Sequence, residues 1–310
     1  TKEAAYAILA TAYLNAEVYT GTAQYDEAIE FSDRIINSGA FSLLPNYFDN
    51  FVADNAMNEE MIYPAVFTPN EPGGLGHPFV LKVLFGIGGG LFDLPFTPQN
   101  GFGTRPSVVD LYEDQDVRKD MFITPGPLTD PRTGDTVMVE RIVPDGNSQL
   151  FVPGESTQGP VPFEVIPADG IRFQPMNAGT KWIKWQIDPN TDGGDAGNDV
   201  AFFRYADILL IKAEALLRNG GSEAEALELV NRVRERSNAS TLNSLTLDDI
   251  LDERGRELAF EMTRRRDLIR FGKFTGSWEF KEPSPDFLRL YPIPREVLDA
   301  NPKLEQNPGY

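Results

Sequence analysis

Phe203-Arg204-Tyr205-Ala206-Asp207-Ile208-Leu209-Leu210-Ile211-Lys212-Ala213-Glu214-Ala215-Leu216 decides the fold class. Its apolar residues recur at helical spacing along the whole stretch, and Asn219-Gly220-Gly221 closes it. Ser222, with Glu225 three residues on, has the pattern of a capping box for a second helix. In that helix Ala226, Val230 and Val233 take the spacing of the second half of a tetratricopeptide repeat.

A similar pair opens the chain. From Glu3 to Leu14 the apolar and small residues Ala5, Tyr6, Leu9, Ala10 and Tyr13 share one helical face. Thr20-Gly21-Thr22 breaks the helix. A partner is expected from Tyr25 to Ser38, with Ala28, Phe31, Ile35 and Ile36 inward and Gly39 as terminator. Ala10 and Ala28 let the two axes approach closely. The order of large and small residues is that of a tetratricopeptide repeat, but the connection is longer than the repeat normally has, so a plain αα-hairpin stays open. The expected class is mainly α, a tetratricopeptide-like superhelix. Residues 1–43 form one hairpin, 44–199 a loop-rich excursion, and 200–310 a second hairpin with a C-terminal helical region.

The composition narrows the partners. The chain has 310 residues, 28 basic against 47 acidic, for a formal net charge of −19. A phosphate backbone would be repelled over most approaches, which argues against nucleic acid. There is no cysteine, so disulfides, thiol nucleophiles, zinc ribbons and iron–sulfur ligation are excluded. The longest strongly apolar run, Val83 to Phe92, has ten residues and four glycines, too short for a membrane-spanning helix. Thr1 already sits in a helical pattern, and no signal peptide shows.

Most of the 27 glycines and 24 prolines lie between Pro64 and Gly197. Pro64 to Pro72, Thr124 to Asp135 and Pro153 to Pro162 are turn chemistry. Short strands are expected at Thr136 to Ile142 and Lys181 to Ile187. In the second, Ile183, Trp185 and Ile187 share one face, and Trp182, Lys184 and Gln186 the other. Trp185 is then core. Trp182 falls on the polar face, where it is either covered by a neighbouring loop or offered to a ligand. Phe79, Phe85, Phe92, Phe96 and Phe102 are set among glycines and prolines, mostly as a satellite core. The most site-like piece is Gly101-Phe102-Gly103-Thr104-Arg105 ahead of the helix-like Ser107 to Tyr112, which brings an aromatic, Asn100 and Arg105 together.

Catalytic patterns are missing. His77 is the only histidine, which excludes HExxH and multi-histidine metal sites. There is no GxSxG, and Gly86-x-Gly88-Gly89-Gly90 lacks dinucleotide spacing. Glu253, Glu257 and Glu261 lie along one helix, and same-face carboxylates cannot flank a glycosidic bond. They read as an ion-pair lattice with Arg254, Arg256, Arg264 and Arg265. One motif is half present. Asp188, Asn190 and Asp192 occupy positions one, three and five of a calcium loop, Gly193 the sixth, and Asp199 stands where a bidentate glutamate is usual. No entering helix precedes it, and an ordinary acidic turn uses the same residues.

The C-terminal motifs carry a resemblance. Phe203-Arg-Tyr-Ala-Asp-Ile-Leu-Leu-Ile-Lys-Ala-Glu-Ala, Asp252-Glu-Arg-Gly-Arg-Glu-Leu-Ala-Phe-Glu261, Arg265-Arg-Asp-Leu-Ile-Arg-Phe-Gly-Lys273, Tyr291-Pro-Ile-Pro-Arg-Glu296 and Asn301-Pro to Gln306-Asn-Pro-Gly-Tyr310 resemble the RagB/SusD family. Lys2 to Leu43 is similar to that family's third tetratricopeptide unit and Phe203 to Arg236 to its fourth. Asn100-Gly-Phe-Gly-Thr to Asp116-Val-Arg118 resembles it too. The family's surface lipoproteins serve nutrient uptake in Bacteroidetes. The resemblance implies a helical superhelix with an irregular ligand-bearing loop region, at the outer membrane, under a SusC-like TonB-dependent barrel as partner. The family's lipidated cysteine and two further repeats have no counterpart, so the chain is expected to be the C-terminal portion of a longer protein.

Sugars present apolar ring faces edged by hydroxyls, so a binder needs exposed aromatic planes with polar groups at their rims. On that basis Asn100, Phe102, Arg105, Trp182 and Trp278 are the expected glycan contacts, with no catalytic residues and no cofactor except calcium at Asp188, Asn190, Asp192 and Asp199. A tetratricopeptide-type adaptor for a protein partner, or capture of peptide or glycoprotein cargo, is the alternative.

Overall fold

The computed structural model describes residues 1–56, 58–68, 76–77, 83, 102–123, 139–142, 148–151, 181–188, 195–278 and 281–310. Helix α1 (Lys2–Leu14) begins at Thr1, whose side chain accepts the Ala4 N–H at 3.2 Å. Asn15 separates it from α2 (Ala16–Thr20) because its side chain is engaged elsewhere: Nδ2 donates to the Thr11 carbonyl and Oδ1 accepts from Arg270. Gly21, at φ +77°, then turns the chain as only a residue without Cβ does readily. Helix α3 (Tyr25–Ile36) ends two residues earlier than expected, where Ser38 Oγ donates to the Ile35 carbonyl. Ala7, Ala10 and Ala28 are fully buried between α1 and α3, and Tyr6 and Tyr13 pack on Phe31 at 5.7 and 5.5 Å.

The middle of the chain holds β1 (Met61–Ala65), a short α4 (Pro106–Val109), β2 (Phe122–Ile123), β3 (Val139–Ile142), β4 (Ser148–Phe151), β5 (Lys181–Trp182) and β6 (Val200–Arg204). They form three antiparallel pairs: β1 with β6, β2 with β5, and β3 with β4. The strand expected from Lys181 to Ile187 stops at Trp182. Beyond it the alternation fails, because Lys184 turns inward to reach backbone carbonyls and is 2% exposed. Trp185 is core, as its place in the pattern implies. Residues 136–138 lie outside the described residues.

Helices α5 (Tyr205–Arg218), α6 (Glu223–Arg236), α7 (Leu247–Glu257), α8 (Arg264–Arg270) and α9 (Arg295–Ala300) complete the chain. Phe203 and Arg204, read as helical, instead end β6. Arg204 has extended backbone, and its side chain points into a cluster of buried carboxylates. Only half of the expected capping box forms at α6. Ser222 Oγ accepts the Glu225 N–H at 3.2 Å, while the Glu225 carboxylate turns to Lys212. A complete box occurs at α7, where Thr246 and Asp249 bond each other's backbone N–H.

In space α1 packs on α3, α3 on α5 and α5 on α6, with α7 against both α5 and α6. The two hairpins, far apart in sequence, are therefore stacked directly, and the middle of the chain leaves and rejoins this tetratricopeptide-like frame. Every residue from Tyr205 to Leu216 is buried, which makes α5 the central helix. A second apolar cluster gathers Tyr47, Phe51, Tyr112, Met121, Phe122, Trp182, Trp185 and Val200 beside it. Among the described residues no helix is long and apolar enough to cross a membrane.

Candidate functional site

Two of the expected contacts meet. The guanidinium carbon of Arg105 lies 5.8 Å from the centroid of the Trp278 ring, and Lys281 Nζ lies 4.3 Å from the same centroid. Trp278 and Lys281 exchange backbone hydrogen bonds at 3.1 and 2.8 Å, which fixes the tight loop that carries both. The Lys281 ammonium also donates to the Gly276 carbonyl and to Ser284 Oγ, so its position over the ring is held from below. Phe102, on the same short segment as Arg105, is 60% exposed. An exposed ring of this kind offers a plane on which an apolar ligand face can stack. Asn100 lies outside the described residues.

Trp182 is not an open platform. It is 6% exposed and stacks face to face on Phe260, with centroids 3.7 Å apart and planes 7° from parallel. Pairing of β5 with β2 turns its ring into the second apolar cluster, so the polar-face position in the sequence pattern is covered by the turn after α7. Of the calcium-loop positions, Asn190 and Asp192 lie outside the described residues. Asp188 is buried and its Oδ2 accepts the Gly197 N–H at 3.4 Å. The Asp199 carboxylate accepts the Phe67 N–H at 3.0 Å, and burial raises its pKa. Among the described residues no group of three or more acidic or histidine side chains is arranged to hold a metal ion.

His77 is buried against Phe67 and Trp185, and burial pushes its pKa down to about 4. It forms a two-way backbone bridge with Ala196. That is a packing role.

Behind these residues lies the ion-pair lattice, with partners other than those expected. Glu253 and Glu257 are fully buried and bind cations from remote parts of the chain. Arg118 Nη1 donates to Glu253 at 2.7 Å and Glu257 at 2.9 Å, and Arg204 Nη1 donates to Glu60 at 2.6 Å and Glu257 at 2.9 Å. Arg234 and Arg256 add to Glu253, and Arg236 to Glu257. Glu261 pairs with Arg204 and Lys184. Of the expected partners only Arg256 serves; Arg254 goes instead to Asp207 and Asp267, while Arg264 and Arg265 donate to backbone carbonyls. Burial raises the Glu257 pKa, but Arg236, Arg204 and Arg118 outweigh it and hold the carboxyl well below the usual range. Tyr47 and Tyr112 donate to the Glu257 and Arg256 carbonyls, so residues from the loop-rich middle cap the end of α7.

One feature escaped the sequence reading. Tyr63 on β1 and Phe202 on β6 are exposed, with ring centroids 5.4 Å apart. The signal was the run Val200-Ala-Phe-Phe-Arg204, whose β-branched and aromatic residues suit a strand but merge with the helix that follows.

The SusD family model matches residues 7–310. The chain belongs to the SusD family. The starch-binding protein SusD of Bacteroides thetaiotaomicron is 26% identical, with an alignment covering 100% of this chain and 60% of that protein. SusD-like protein P38 of Formosa agariphila is 35% identical over 48% of this chain and 31% of its own length. The solved structure of surface glycan-binding protein A from Bacteroides thetaiotaomicron in complex with laminarihexaose superposes with a TM-score of 0.73 at 21% identity. It covers 99% of this chain and 64% of that one. The chain thus spans less than two thirds of these relatives' lengths.

For this SusD-family chain the signature motifs now have a physical meaning. Arg204, Asp207 and Glu214 come from the first, Glu253, Arg254, Glu257 and Glu261 from the second, and Asp267 and Arg270 from the third. All are buried ion-pair members, in two networks: Arg204, Glu253, Glu257 and Glu261 with Arg118 and Lys184, and Asp207, Glu214, Arg254, Asp267 and Arg270 with one another. These three stretches supply buried ion pairs, whereas Phe102 and Tyr291, in other stretches that resemble the family, are exposed.

Proposed function

We propose that this SusD-family chain belongs to a surface-exposed outer-membrane lipoprotein that binds a glycan or oligosaccharide without altering it and delivers it to a SusC-like TonB-dependent barrel. The observation that carries the reading is the Phe102 ring, open to solvent on the segment whose Arg105 meets Trp278. An exposed apolar ring, three residues before an arginine whose guanidinium lies over a second ring, suits the alternating apolar faces and hydroxyl rims of sugars. Family membership supports it, as do a starch-binding relative and a structurally similar glycan-binding protein solved with laminarihexaose. Buried, cation-paired carboxylates do not suit acid/base hydrolysis, which needs two carboxyls facing a substrate.

Affinity electrophoresis through gels loaded with a panel of polysaccharides tests the binding step. Retardation by at least one glycan, reduced in Phe102→Ala and Trp278→Ala variants, is expected; migration unchanged on every glycan would overturn it. Co-purification with a TonB-dependent barrel tests delivery. A second reading, a tetratricopeptide-type adaptor, draws on the direct stacking of α3 on α5. Capture of a protein partner abolished by groove substitutions, with no glycan binding, would favour it. Calcium at Asp188, Asn190, Asp192 and Asp199 is a separate proposal that rests on their spacing. Calorimetric titration with calcium, lost in Asp188→Asn, tests it.

A further inference from the structure

The turn that follows α7 is bent in an unusual way. Phe260 has φ +64° and Met262 φ +60°, a left-handed backbone that costs any residue with a Cβ, and the two flank Glu261. No glycine relieves the turn, so something else must hold it. The Glu261 carboxylate is gripped on both oxygens by Arg204, whose Nε and Nη2 each donate at 2.8 Å, and again by Lys184 at 2.6 Å. Lys184 also donates to the Ala259 carbonyl at 2.7 Å and the Glu257 carbonyl at 3.3 Å, bracing the backbone that bends. The bend then lays Phe260 flat on Trp182 and turns Met262 out to solvent, 74% exposed. Three parts of the chain converge at this point. They are the end of the frame helix α7, the strand end at Arg204, and the segment 181–188 from the loop-rich middle.

We propose that the Ala259–Met262 turn is a sprung latch. The clamped Glu261 carboxylate offsets the backbone strain at Phe260 and Met262. Releasing it lets the turn relax and the 181–188 segment lift off while the helical frame stays folded. Two features support local rather than global opening. The segment's other ties are to the loop-rich middle: the Ile183 N–H donates to the Met121 carbonyl and the Gln186 N–H to the Phe51 carbonyl, both at 2.7 Å. The packing of α5 on α3 and α6 does not pass through the turn.

Hydrogen exchange of the full chain tests it. In Glu261→Gln, the amides of Ile183 and Gln186 should exchange about tenfold faster or more, while those of Ile208 to Ala215 in α5 keep their parent rates. Met262→Gly, which relieves the strain at that position without touching the clamp, should slow exchange at Ile183 and Gln186. If Glu261→Gln does not fold, Glu261→Asp, which keeps the charge but draws the carboxylate back by one methylene from Arg204 and Lys184, makes the same comparison. Equal acceleration in α5 and the segment would show ordinary loss of global stability and overturn the latch, as would unchanged rates throughout.

Discussion

Arg118 Nη1 donates to Glu253 Oε1 at 2.7 Å across 135 residues of sequence, with both side chains fully buried. The same nitrogen reaches Glu257, while Nε and Nη2 hold Asp116. A single guanidinium from the loop-rich middle is thus bonded to two carboxylates of the frame. Burying so much charge is tolerable only because each member is paired, and a broken pair leaves its partner desolvated and uncompensated.

Arg118→Met should therefore lower stability by about 3–5 kcal/mol in urea unfolding at pH 7. A loss below about 1 kcal/mol would show that Arg234, Arg236 and Arg256 re-pair the carboxylates on their own.

Acid should destabilise the fold in two stages. His77 has its folded pKa near 4 against an ordinary 6.5, so between those values the unfolded chain takes up a proton that the folded chain does not. Stability falls across that window by about 3 kcal/mol. The depressed carboxyls of Glu253, Glu257, Glu261, Glu214 and Asp267 act lower: their contribution is complete above the unfolded values of 4.5 and 3.8 and is lost as pH falls through the folded ones. Urea midpoints for the parent and His77→Leu should diverge in slope between pH 6.5 and 4; parallel slopes would refute the assignment.

Lys184 acts in the same direction, in an alkaline window. Burial lowers its pKa to about 8 from 10.5, despite Glu261 beside it. Between those values the unfolded chain holds the extra proton, so stability rises with pH. Relative to Lys184→Met, the parent should gain about 3 kcal/mol over that interval, read from paired unfolding curves. A flat difference would place the folded pKa at its ordinary value.

Trp182 and Phe102 should separate packing from binding. Trp182→Ala removes a stacked, buried ring and should cost about 3–5 kcal/mol of stability. Phe102→Ala should leave stability within about 0.5 kcal/mol and weaken glycan retention. Reversed effects on stability would mean that Phe102 is the buried ring in solution.

The helical frame was legible because its code is local. Tyr6, Leu9, Ala10 and Tyr13, or Tyr205 to Leu216, repeat at helical spacing, and Gly21 and Gly39 mark ends in the residues themselves. The ion-pair lattice was legible only as a composition of charges on α7. Nearest neighbours in sequence suggested Arg254, Arg264 and Arg265, but the guanidinia that arrive come from Arg118, Arg204, Arg234 and Arg236. For Trp182 the alternation left cover by a loop and exposure to a ligand both open, and the structure decides for cover. Alternation tells the two faces apart but not what covers each, and here the turn carrying Phe260 covers the face that holds Trp182.

By itself the sequence determined the helical class, the two hairpins, the acidic surface and the family's motifs, since propensity, periodicity and residue type act within a few neighbours. Tertiary structure alone decided which cations reach Glu253 and Glu257, that Trp182 turns inward onto Phe260, and that Phe102 stays open to solvent. Those outcomes depend on contacts between segments far apart in the chain, where burial makes an unpaired charge or an uncovered ring costly and geometry selects which partner relieves it.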